Sequence, residues 1–197
     1  MTARRLWLWF GGLLAVGGFA GTLTWWLARW DRQAPVPVPV AAEPAALAHI
    51  TATLFYASAD GLSLMPLHRE VQLEPGVVAQ GRQIVLAQIQ APPAPAIGVV
   101  PTGTTLRAFY VTALGDAFVD LSGDVVRGHP GGARQELLTV QAIVHAVTAN
   151  LPTVRRVQIL VDGQEVDTLA GHIDLRRPLA RDPTILAAVP GPAPGVQ

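Results

Sequence analysis

The chain has 197 residues, of which 50% are hydrophobic and 14% charged, with a formal net charge of zero. That length holds one core of ordinary size plus appendages. Cysteine and lysine are absent, which excludes disulfides, a thiolate nucleophile, cysteine-bound zinc, a lipidated cysteine and any lysine-based chemistry, while charge neutrality argues against nucleic acid as a partner.

In chain order, residues 1–5 read as a short cytoplasmic end and Leu6 to Ala28 as an uncharged apolar run. At 1.5 Å per residue the run makes roughly 35 Å of helix, enough to span a bilayer. Trp7, Trp9, Trp25, Trp26 and Trp30 lie near its ends, as expected for rings at the headgroup level. Gly17 and Gly21 have GxxxG spacing. Arg4, Arg5 and the amino terminus outweigh Arg29, Asp31 and Arg32, so the amino end is expected inside. A cleaved signal peptide would have a shorter apolar region and a small-x-small site; the bulky tryptophans favour an uncleaved signal anchor over 6–28.

Residues 29–46 read as a linker, with Pro35, Pro37 and Pro39 alternating with valine in a polyproline-like spacer. Residues 47–181 read as the folded domain. Ile50–Ala57, an Asp60-Gly61 turn and Leu64–Val71 predict a hairpin. Gly76 to Gln90 has helical apolar spacing and is closed by Pro92-Pro93. Thr104–Ala113, a Gly115-Asp116 turn and Ala117–Leu121 predict a second hairpin. Residues Ala133 to Ala149 form the clearest helix, Leu137, Val140, Val144 and Val147 sharing a stripe. Val154–Val161, Asp162-Gly163 and Gln164–Leu169 predict a third hairpin, with Ile173-Asp174-Leu175 as a last short strand. The tail 182–197, rich in proline and glycine, is expected to be disordered. The pattern predicts an α+β fold: a mainly antiparallel sheet built from hairpins, with two helices on one face.

Candidate chemistry is sparse. No two of the five histidines have the i, i+4 spacing of a helical zinc pair, and His172 with Asp174 is a close histidine–carboxylate pair, expected on one strand face. Asp116, Asp120 and Asp124 lack the alternate spacing of a calcium loop; Asp60, Asp116 and Asp162 adjoin glycine, as turn residues do. Ser58 and Ser122 lack a nucleophile elbow. No catalytic, cofactor-binding or metal-binding residue is therefore assigned, and no cofactor is expected. Arg155-Arg156 and Arg176-Arg177 are basic pairs, read as solvated strand ends or as a contact surface for an acidic partner.

Three stretches resemble the GerMN domain of sporulation and spore-germination proteins: Leu54-Phe55-Tyr56 through Val71; Val100-Pro101-Thr102-Gly103-Thr104 through Val119-Asp120-Leu121-Ser122; and Val157 through Asp162-Gly163, then Thr168-Leu169-Ala170-Gly171-His172-Ile173-Asp174-Leu175-Arg176-Arg177. The Gly-His-Ile-Asp-Leu run is the most specific, and Glu136 and Gln141 fall at the pattern's acidic and amide positions. The resemblance covers about residues 51–179. It implies a non-catalytic extracytoplasmic domain, similar to ring-building motifs, acting in assembly of an envelope or sporulation/germination-related complex. The chain departs from family members that are lipoproteins in lacking a cysteine, and it carries one copy of the domain. The expected protein is thus single-pass in the cytoplasmic membrane with its carboxy-terminal domain outside, and its partners are itself or envelope-complex proteins. The other reading is a module that binds peptidoglycan or regulates a wall hydrolase. The candidate interaction surface is Arg155, Arg156, His172, Asp174, Arg176 and Arg177.

Overall fold

The computed structural model describes residues 25–26 and 48–187. The chain divides into two units, Met1–Ala45 and Ala46–Gln197. Apart from Trp25 and Trp26, which are helical, the predicted spanning segment 6–28 lies outside the described residues, as do 1–5, the linker up to 46 and the tail from 188. Among the described residues, no helix is long and apolar enough to cross a membrane.

The second unit is an α+β fold with two sheets. Strands β1 (His49–Ala57) and β2 (Leu64–Gln72) pair antiparallel from His49↔Gln72 to Ala57↔Leu64. Helix α1 (Val77–Ile89) follows, then β3 (Leu106–Val111) and β4 (Asp116–Leu121), a short α2 (Asp124–Arg127), the long α3 (Ala133–Asn150), β5 (Arg156–Val161) and a two-residue β6 (Gln164–Glu165). The second sheet has the order β3-β4-β5-β6.

The expected hairpins form, but the expected single, mainly antiparallel sheet does not. Strands β4 and β5 run parallel, Ala117, Val119 and Leu121 beside Val157, Ile159 and Val161. Parallel neighbours need a long crossover, and α2 with α3 supplies it. These six side chains are buried in register, so alternate residues of both strands feed one core, which Leu138, Val140, Ile143, Val144 and Val147 of α3 complete. The third hairpin turns on Asp162-Gly163 with φ of 51° and 81°, the left-handed pair that a two-residue hairpin needs. Its second strand stops at Glu165. No strand forms at Ile173–Leu175; the segment after β6 instead crosses α3 as an irregular strap. It touches β5 through the Val157–Leu179 bridge and β2 through the Leu64–Leu186 bridge. The fold also runs past residue 181: Pro183–Ile185 forms a 3₁₀ turn, Asp182 caps it by accepting from the Thr184 N–H, and Ile185 is buried.

The hairpin's inner edge is closed by side chains. The N–H groups of Thr53, Phe55 and Ala57 donate to Asn150 Oδ1, Gln88 Oε1 and the Ile97 carbonyl, each at 2.9 Å. The carbonyls of Thr53 and Phe55 accept from Asn150 Nδ2 at 2.8 Å and Gln88 Nε2 at 2.7 Å. Each amide thus copies a peptide group of an absent strand, and the two come from the last turns of α1 and α3. Replacing Gln88 by leucine leaves a buried N–H and a buried carbonyl of Phe55 without partners. A cost of about 2 kcal/mol is expected, read as a lower urea midpoint with unchanged slope. A cost below about 0.5 kcal/mol would show that the edge does not need the amide.

Candidate functional site

The strap is tied to the polar positions of α3. Glu136, on the first turn, is fully buried. Its Oε1 accepts from the Thr168 hydroxyl and from the N–H groups of Leu169, at 2.8 Å, and Ala170, at 3.0 Å. Its Oε2 accepts from the His172 N–H at 2.8 Å, with His172 Nδ1 at 3.3 Å. Burial alone would raise the carboxyl pKa, but the Thr168 hydroxyl and the three N–H groups outweigh it and hold the group at about 2. Further along, Gln141 donates to the Ala180 carbonyl at 3.3 Å and accepts from the Asp182 N–H at 3.1 Å. His145 Nε2 contacts the Asp182 carbonyl at 3.0 Å; a carbonyl can only accept, so this nitrogen carries the proton. Burial pushes the His145 pKa down, against the pull of that carbonyl. The ring also lies 5.0 Å, centroid to centroid, from Phe55, joining the strap anchor to β1.

The six surface candidates fall into separate arrangements. Arg156 makes a two-pronged ion pair with Asp116 at 2.7 and 2.8 Å, between residues in register on β5 and β4. Arg155 is exposed, its N–H on the Gly115 carbonyl at 2.8 Å. His172 is held by Glu136 and does not share a strand face with Asp174, because their segment is not a strand. Asp174 instead pairs with Arg176 through two contacts of 2.9 Å. Arg176 and its backbone N–H hold the Asp174 carboxyl well below the usual range. Arg177 is exposed. The strap carries four of the six, and the Val157–Leu179 bridge brings it along β5 after the Arg155–Arg156 pair. Among the described residues no three histidine, aspartate or glutamate side chains come together to hold a metal ion.

Residue spacing alone does not single out the anchors Glu136 and Gln141, nor the edge-closing Gln88 and Asn150. A polar side chain inside an apolar helical stripe is the signal they share.

One strand edge stays open. Because Thr53, Phe55 and Ala57 turn their backbone groups away from β2, the alternation of an antiparallel pair turns those of Leu64, Pro66, His68, Glu70 and Gln72 outward. The Leu64 carbonyl accepts from the Ala187 N–H at 2.7 Å and the Gln72 carbonyl from Gln80 Nε2 at 3.2 Å. Pro66 has no N–H. His68 and Glu70, both exposed, present an N–H and a carbonyl each that no described residue meets. At the other edges, Phe109 and Val111 of β3 also turn backbone groups away from β4 that no described residue meets, with the Phe109 side chain buried, and β6 has two residues.

Comparison with known proteins agrees with this architecture. The tandem GerMN domains of the sporulation protein GerM from Bacillus subtilis superpose with a TM-score of 0.54 at 15% identity, covering 68% of this chain and 46% of that one. The first GerMN domain of the same protein gives 0.49 at 16% identity, over 68% of this chain and 96% of its own length. A Clostridium perfringens protein put forward as a lipoprotein gives 0.49 at 25% identity, over 71% and 93%. No curated protein matches the chain in sequence. The family model for Germane, described as sporulation and spore germination, matches residues 53–167. That match takes in both sheets and all three helices of the unit and more than half of the 197 residues, and the chain therefore belongs to the Germane family.

Proposed function

We propose that this protein is a non-catalytic assembly module, anchored in the cytoplasmic membrane through residues 6–28. Its Germane domain stands outside and joins copies of itself or proteins of an envelope complex of the sporulation or germination kind. The observation that carries this reading is the open β2 edge. The fold spends two buried amides to seal β1, yet leaves His68 and Glu70 with outward backbone groups that no described residue meets. An exposed edge is a template for another strand. The exposed Arg155 and Arg177, with the His172–Arg176 segment, offer a second, charged contact area on the strap side. The family membership favours assembly over catalysis.

Because the chain has no cysteine, a single one can be placed cleanly. His68→Cys in native membranes is expected to give an oxidative crosslink, to itself or to an envelope protein, while Glu165→Cys, exposed on β6, is not. His68→Pro removes the outward N–H without touching the β1–β2 ladder, since that N–H points away from β1. Folding should persist and complex recovery in mild detergent should drop at least about fivefold, a loss of roughly 1 kcal/mol. Equal crosslinking at both positions, or full recovery with His68→Pro, would overturn the reading.

A further inference from the structure

Beside the hairpin lies a groove of about 330 Å³, lined by Tyr56, Met65, Leu67, Pro93 and Pro95 among others. This is the lower end of the range for sites that hold small ligands or anchoring side chains. Its walls are largely apolar and stiff, with three proline rings among them, so an occupant would find it formed in advance, with little ordering left to do. Met65 is 41% exposed at one lip, and Ile97, 47% exposed, follows the loop that forms the other.

A charge lies beside the groove, behind its Tyr56 wall. Arg69 follows Leu67 by two residues on the same face of β2, and its Nη1 donates to Tyr56 Oη and to the Ala87 carbonyl, both at 3.3 Å. A guanidinium carries five donor hydrogens on three nitrogens, and here the hydrogen bonds to described residues use Nη1 alone. No carboxylate of a described residue reaches it, as is also true of Arg82, Arg134, Arg155, Arg177 and Arg181, whereas Arg107, Arg127, Arg156 and Arg176 each have an aspartate partner. Arg69 is half-buried, where an unanswered cation is costlier than at the surface.

From this pairing we propose that the groove is a binding site for an extended peptide segment of a partner protein. The segment carries a leucine-sized apolar residue and, two positions on, an aspartate or glutamate. The apolar side chain fills the space between Leu67 and the proline wall, and the carboxylate answers Arg69. The spacing follows from the strand: Leu67 and Arg69 stand about 7 Å apart along β2, and alternate residues of an extended peptide repeat at the same interval. Charge selects the acid, since Arg69 lacks one. Volume selects leucine, isoleucine or valine over alanine, which disfavours the alanine-rich peptides of the cell wall. The proposal does not rest on the β2 edge, whose backbone groups at His68 and Glu70 it leaves unused.

The test uses the full chain in detergent micelles and three blocked pentapeptides, Gly-Leu-Thr-Asp-Gly, the same with asparagine for aspartate, and the same with alanine for leucine. The probe is the methyl resonance of Met65. The leucine–aspartate peptide is expected to shift this signal at millimolar concentration and to bind about tenfold more tightly than either other peptide, the scale of one charge-assisted pair or one filled pocket. Arg69→Gln should abolish the preference for aspartate over asparagine while keeping that for leucine over alanine. If Arg69→Gln disturbs the fold, Ala59→Glu, which places a carboxylate on the exposed wall of the groove and keeps the Met65 probe, should abolish binding instead. Equal binding of the aspartate and asparagine peptides, equal binding of the leucine and alanine peptides, or an unmoved Met65 signal would overturn the proposal. His68→Pro should leave these affinities unchanged, so failure of the groove and failure of the edge are told apart.

Discussion

Replacing Glu136 by glutamine is expected to lower the stability of the domain by about 3 kcal/mol, and replacing it by alanine by about 4 kcal/mol. The carboxylate is fully buried and satisfies one hydroxyl and three backbone N–H groups between Thr168 and His172. Glutamine keeps one oxygen but turns an amide N–H toward groups that are themselves donors, and each buried donor left unmet costs on the order of 1–3 kcal/mol. Alanine removes every acceptor and leaves a cavity as well.

The same group sets an acid limit. Its pKa falls from an ordinary 4.5 to about 2 on folding, so the folded protein binds the proton less readily than the unfolded chain. The stability linked to this difference is therefore fully present above about pH 5, and is lost as the pH falls from there to about 2. At 1.36 kcal/mol per unit the linked amount is about 3 kcal/mol. Urea midpoints taken from pH 7 to pH 2 should fall steeply for the natural chain and much less for Glu136→Gln, the two curves converging at the acid end. Parallel curves would mean that Glu136 is not the group that links this loop to pH. The first sign of failure should be local: amide exchange of Leu169, Ala170 and His172 should quicken before that of β4 and β5, because the strap can lift while the sheet stays paired.

That anchor also explains which parts of the fold were legible in the sequence. The turns at Asp60-Gly61, Gly115-Asp116 and Asp162-Gly163 are local devices, fixed by residues that tolerate unusual φ, and each sits where the spacing places it. The two long helices come from apolar periodicity and end within a residue or two of their predicted limits. Ile173-Asp174-Leu175 has the alternation of a strand but is none, because Glu136 takes N–H groups just before it that a neighbouring strand would otherwise have to meet. A side chain thirty-odd residues away has replaced a ladder, and no local pattern contains that fact. The parallel β4–β5 pair was lost for a related reason, since its partners are separated by α2 and α3. The apolar run Val157 to Val161, interrupted by Gln158 alone, is nonetheless a signature of a strand covered on both sides. Gln158 is buried there because its amide donates to the Leu175 carbonyl of the strap. The six candidate surface residues were found by charge, which marks what is exposed. It does not mark Gln88 or Asn150, whose work is done inside, and Glu136 and Gln141 are marked by the family resemblance instead.

Gly81 supplies the second large effect, and one whose sign propensity gets wrong. Glycine in a helix interior is worse than alanine by about 1 kcal/mol, so Gly81→Ala in the middle of α1 would ordinarily be stabilising. Here a Cβ would lie 2.2 Å from Phe109 Cε1 and 2.4 Å from Cζ. Phe109 is 2% exposed, and its ring is wedged between α1 and β3 with little room to retreat. Overpacking of a close-packed core costs about 1–3 kcal/mol and occasionally more. Gly81→Ala is therefore expected to destabilise by about 2 kcal/mol, and Gly81→Val, branched at the clashing atom and a poorer helix former, by about 4 kcal/mol. The decisive comparison is the double variant Gly81→Ala with Phe109→Leu. Leucine is shorter than phenylalanine at the points of contact, so the two losses should fall short of their sum by at least about 1 kcal/mol. Additive losses would place the cost of Gly81→Ala somewhere other than the ring. If the coupling is found, α1 is held against β3 by the absence of a side chain. Loosening that contact with Gly81→Val should then raise amide exchange along β3, at Ala108 and Tyr110, before that of β4 and β5.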